Sequence, residues 1–144
     1  MSLRAVLRAL VLLMLPAALA IASPALAVWP HDPTVNMRIA PTANSQIPDA
    51  IVPDGAGGAI IAWEETRASD KDIFAQHITA AGTVAPGWPA GGIAICAASG
   101  EQFSVCAVSD GSGGAIFAWG DRRAVTQDDI YAMRVKGDGT FPAG

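Results

Sequence analysis

Two short charged clusters stand out as residues that could do chemistry. Glu65 and Arg67 lie two positions apart directly after Trp63, and Asp121 and Arg123 repeat the arrangement after Trp119. A further acid follows each cluster, Asp72 in one case and Asp129 in the other. An arginine fork facing carboxylates is suited to an anionic sugar, and paired carboxylates can act as acid and base on a glycosidic bond. Their recurrence points elsewhere: a catalytic centre is needed once, whereas a latch is needed in every copy of a unit. The expectation is therefore an ion-pair latch tying the strand that carries the tryptophan to the next one, with ligand binding at the loop mouths as the alternative.

These clusters sit inside a longer repeat. DGAGGAIIAWEETR at 54–67 returns as DGSGGAIFAWGDRR at 110–123, an offset of 56. DKDIFAQHI then matches QDDIYAMRV, Gln46 answers Gln102, and Trp29-Pro30 answers Trp88-Pro89. The units run from Val28 to Gly87 and from Trp88 to Gly144. Periods of this size mark propellers, solenoids or arrays, whose units do not bury their apolar faces alone.

The elements that must position the clusters are strands. The expected set is Asn36–Ala40, Ile47–Val52, Gly58–Glu64 and Asp72–Thr79, then Gly92–Ala97, Gln102–Ser109, Gly114–Trp119 and Asp129–Lys136. Asp54-Gly55 and Asp110-Gly111 supply positive φ for a turn between the second and third strands of each unit. The runs AIIAW and AIFAW are apolar at consecutive positions, as in a strand covered on both faces. Gly and Pro recur through most of the chain after residue 27, which makes helix hard to place there. An all-β chain of two four-stranded antiparallel propeller-like blades follows, as part of a larger β-propeller.

The order DGxGGAIxAWxDxR, then DIYAQ, then a Trp-Pro start resembles a family of repeats of roughly 55 residues in exported bacterial proteins. What the resemblance implies is a multi-blade array in a secreted, periplasmic or cell-surface protein, without a shared catalytic activity. The aspartate boxes of sialidase propellers are similar, but their Trp follows the Asp more closely than the nine positions here.

The N-terminus reads as an export signal. Arg4 and Arg8 precede an apolar run from Ala9 to Ala22, and Ala25-Leu26-Ala27 forms a small-residue cleavage site before Val28. The run is shorter than the roughly 20 residues a span needs, and no second candidate span follows. Loss of the peptide lowers Lys plus Arg from 9 to 7 against 13 Asp plus Glu, a net charge of about −6. An acidic surface without basic runs argues against nucleic acid as a partner.

Remaining candidates are weaker. His31 and His77 fall at non-equivalent places with no metal-ligand spacing around them and read as surface residues, and Lys136–Thr140 lacks the alternating acids of a calcium loop. No cofactor or metal is expected. Trp29 and Trp88 could stack on sugars, but their recurrence favours packing between blades. Cys96 and Cys106 flank the Gly100-Glu101 turn almost equally, so a hairpin there places them opposite one another, and an oxidising compartment would join them in a disulfide. The function expected is a secreted non-catalytic module that binds a polysaccharide or protein, joined by further blades or by self-association. The alternative is a fragment of an exported sialidase or glycosidase-type hydrolase.

Overall fold

The computed structural model describes residues 29–30, 32–68, 70–124 and 126–143. The expected signal peptide with its Ala27/Val28 cleavage site, and His31, lie outside the described residues. The described chain is all-β. β1 (Ser45–Pro53), β2 (Ala59–Arg67), β3 (Asp70–Ile78) and β4 (Ile93–Cys96) form one antiparallel sheet in that order. β5 (Gln102–Ser109), β6 (Ala115–Asp121) and β7 (Asp129–Val135) form a second, three-stranded one. Among the described residues no helix is long and apolar enough to cross a membrane.

Seven of the eight expected strands are present, and the eighth explains itself. Asn36–Ala40 is not a strand, because no neighbouring strand supplies its backbone hydrogen bonds. Its counterpart in the second unit, β4, does have a neighbour, but it is β3 of the first unit: Ile73 pairs with Cys96 and Ala75 with Ile93. The expected pair of four-stranded sheets is thus corrected to sheets of four and three, with the second sequence unit lending its first strand to the first sheet.

That exchange also corrects the disulfide. Cys96 closes the first sheet on β4 and Cys106 lies on β5 of the second, so no hairpin sets them opposite one another, and both thiols are free. Cys96 Sγ lies 3.2 Å from a guanidinium nitrogen of Arg123, and Cys106 Sγ donates to the Ala118 carbonyl at 3.5 Å. Burial pushes the Cys96 thiol above its ordinary value, which keeps it protonated at neutral pH.

The sheets stack face to face. From the first come Val52, Ile60, Ala62, Ile73 and Ala75, and from the second Val105, Phe117 and Trp119, in one continuous core. Each large side chain closed in this seam contributes about 1.5–3 kcal/mol. Consecutive residues of a strand face opposite ways, and in β2 Ala62, Trp63, Glu64 and Glu65 are all buried. The strand is covered on both sides at its centre, as its unbroken apolar run implies. A polar clamp crosses the seam: Glu64 takes Lys71 Nζ at 2.8 Å and the backbone N–H of Ser104, in the bulge of β5, at 2.7 Å. Burial works to raise the Glu64 carboxyl, but these donors outweigh it and hold the group below its ordinary value.

Candidate functional site

Period-two alternation puts Trp63, Glu65 and Arg67 on one face of β2, and Trp119, Asp121 and Arg123 on one face leading out of β6. Glu65 is fully buried; its carboxylate accepts Arg67 Nε at 2.9 Å, Asn44 Nδ2 at 2.8 Å and the indole N–H of Trp63 at 3.1 Å. Asp121, equally buried, takes the Arg123 guanidinium through both oxygens, Nε at 2.9 Å and Nη2 at 2.6 Å, and the indole N–H of Trp119 at 3.0 Å. The hydrogen bonds from Arg123 outweigh burial and drive the Asp121 carboxyl far below the carboxylate range.

The ion pair expected between strands is therefore made locally, between residues two apart in the chain. What crosses to the next strand is the guanidinium face. Arg67 lies 4.1 Å over the Phe74 ring, and Arg123 lies 3.8 Å over Tyr131. Those rings stand opposite Trp63 and Trp119 in the ladder and stack on them. Each unit thus carries the same four-part stack of indole, carboxylate, guanidinium and second aromatic ring.

Asp72 and Asp129 are not members of it. They stand opposite Glu65 and Asp121 in the sheet, acid facing acid, and among the described residues neither forms an ion pair. Burial, with Asp70 and Glu65 nearby, pushes the Asp72 carboxyl above its ordinary value against the pull of Arg67. A raised carboxyl costs folding stability above its unfolded value and costs nothing once both states are protonated. Asp72→Asn should accordingly stabilise the fold at pH 7 by about 0.5–1 kcal/mol, with the gain vanishing below pH 3.8; chemical denaturation at both pH values checks it.

A second repeated device lies in the turns. Asp54 Oδ1 accepts the backbone N–H of Ala56 and Gly58 at 2.7 and 2.8 Å, while Asp110 Oδ1 does the same for Ser112 and Gly114 at 2.8 and 2.9 Å. A Cβ on Gly58 would sit 2.3 Å from the Ile78 carbonyl, and one on Gly114 2.2 Å from that of Val135, so this position has no room for a side chain. The other carboxylate oxygen meets a nitrogen-bearing side chain two strands on, His77 Nε2 of β3 at 3.0 Å from Asp54 and Arg134 Nε of β7 at 2.9 Å from Asp110.

The surface reading of His77 is corrected by this contact. It is buried, bound to Asp54 on one ring nitrogen and 3.0 Å from the Gly137 carbonyl on the other. The repeat register, which sets His77 against Arg134, held the clue.

The two unit-starting tryptophans make equivalent bonds. Trp29 Nε1 donates to the Ala80 carbonyl at 3.2 Å and Trp88 Nε1 to that of Gly137 at 2.9 Å. Only Trp88 is buried, edge-on against His77 in the seam. Among the described residues no group of three or more His, Cys, Asp or Glu is placed to hold a metal ion.

No protein-family model, no curated protein and no solved structure matches the chain. The class that fold and site define is thus a two-sheet, all-β repeat chain, in which charged side chains recur as fixed parts of each unit.

Proposed function

We propose that the chain is a non-catalytic module of an exported protein, built from propeller-like blades, that binds or displays at the cell exterior with a glycan or protein as partner. The observation that carries this reading is the state of the carboxylates best suited to chemistry. Glu65 and Asp121 are fully buried and saturated by donors from their own units. An acid held as an ion by an arginine fork has no proton to donate to a glycosidic oxygen. Duplication of the whole stack supports the same view, since both copies do equivalent structural work.

The test pairs binding with turnover. Purified protein titrated calorimetrically with polysialic and polygalacturonic acid should release heat saturably with at least one polymer, or with a protein ligand in a surface-display screen, while fluorogenic sialosides and glucuronides remain intact. Hydrolysis by the wild type that disappears in a folded Arg123→Lys variant would install the hydrolase reading instead.

A further inference from the structure

The repeat register allows the two sheets to be compared face by face, and their burial is reciprocal. On the first sheet Val52, Ile60 and Ile73 are closed in the seam at 6, 1 and 0 % exposure. Their counterparts on the second sheet, Val108, Ile116 and Ile130, stand open at 60, 42 and 79 %. The opposite faces reverse the relation. Phe117 of the second sheet is fully buried in the seam, whereas its counterpart Ile61 lines two adjoining grooves of about 230 and 330 Å³ on the first. Ile51, the counterpart of the seam residue Ala107, is 70 % exposed there.

Backbone edges follow the same rule. β3 is capped by β4, but its counterpart β7 has no strand on its outer edge among the described residues. Asn36–Ala40, the counterpart of β4, has no strand to join. The chain therefore presents one surface of the kind its own seam buries and, elsewhere, the surface that seam uses to bury it.

We propose that a second copy of this chain docks head to tail on the second sheet. Its open first-sheet face, with Ile51 and Ile61, covers Val108, Ile116 and Ile130, and its Met37–Ala40 segment adds to β7. Carrying over the β3–β4 register sets Ala40 of the incoming copy against Ile130, Arg38 against Tyr131 and Met37 against Ala132. Polar groups also permit the contact. The clamp across the internal seam joins Ser104 N–H to Glu64. At the new contact the counterparts are Pro48 and Gly120, so the donor and the acceptor of this clamp are absent together. Because the two surfaces differ, the contact is heterologous: copies add in series, and a ring forms where the rotation closes. This inference is independent of any ligand.

The test uses Ile51→Arg on one surface and Ile130→Asp on the other, both at exposed positions, with circular dichroism to confirm the fold. Light scattering behind size exclusion, over a concentration series, should show wild-type oligomers that grow with concentration. Each variant alone should be monomeric, since every contact needs both surfaces. An equimolar mixture should yield a single heterodimer, joined through the one intact surface of each. A wild type that stays monomeric throughout overturns the proposal, as does assembly abolished by only one of the substitutions, which is the mark of a symmetric contact.

Discussion

Trp88→Ala should remove about 3–5 kcal/mol of folding stability, while Trp29→Ala, at the matching position of the first unit, should remove less than about 1 kcal/mol. The difference lies in surroundings. Trp88 is 6 % exposed, packs in the core, meets His77 edge-on and donates to the Gly137 carbonyl. Trp29 makes the equivalent bond to Ala80 but is 36 % exposed, so truncation leaves no large cavity. Trp88→Phe separates the contributions. It keeps most of the apolar area and loses the indole bond, which costs on the order of 1 kcal/mol plus whatever strain the smaller ring leaves. Against a total of about 5–15 kcal/mol for a domain, the alanine variant should melt at least about 10 °C lower than the wild type. Equal effects of Trp88→Ala and Trp29→Ala in a calorimetric scan would show that the buried docking of Trp88 is wrong.

Arg123→Ala should cost about 3 kcal/mol at pH 7, because it strands the fully buried Asp121 carboxylate without a counter-charge. Asp121→Asn added to it should recover part of the loss, as the orphaned charge then disappears. Arg67→Ala should cost less, on the order of 1 kcal/mol, since Glu65 keeps hydrogen bonds from Asn44, Gln46 and Trp63 and the Arg67 side chain is half exposed. The pH dependence has a definite sign. The Asp121 carboxyl is held below its ordinary 3.8 in the folded wild type, so its contribution is present above that value and is lost as pH falls through the folded one. The gap between wild type and Arg123→Ala should be widest near neutrality and close as pH falls below 3.8. A gap that is constant from pH 7 to pH 2 would leave only lost packing on Tyr131 as its source.

Strand and turn positions along the chain were legible because they depend on local rules. Glycine at positive φ in Gly55, Gly57, Gly111 and Gly113, and the unbroken apolar runs of β2 and β6, act within a few residues of chain. The 56-residue offset went further, since it implied that whatever the Trp-x-acid-x-Arg cluster does in one unit it does in the other. Period-two geometry alone sets the acid and the arginine on one face, where each is the other's partner.

What only the tertiary structure decided is which of two equivalent residues is buried, and which edge a strand joins. Trp29 and Trp88, Ile130 and Ile73, Arg134 and His77 are matched in sequence and separated by environment, because the seam between the sheets covers one face of each sheet and leaves the other open. The same seam takes β4 from the hairpin its own unit suggests and gives it to β3. Cys96 and Cys106 are thereby parted, and Asn36–Ala40 is left without a partner strand. Burial and strand pairing are properties of neighbours in space, and two copies of one unit stacked once have different neighbours on their two sides.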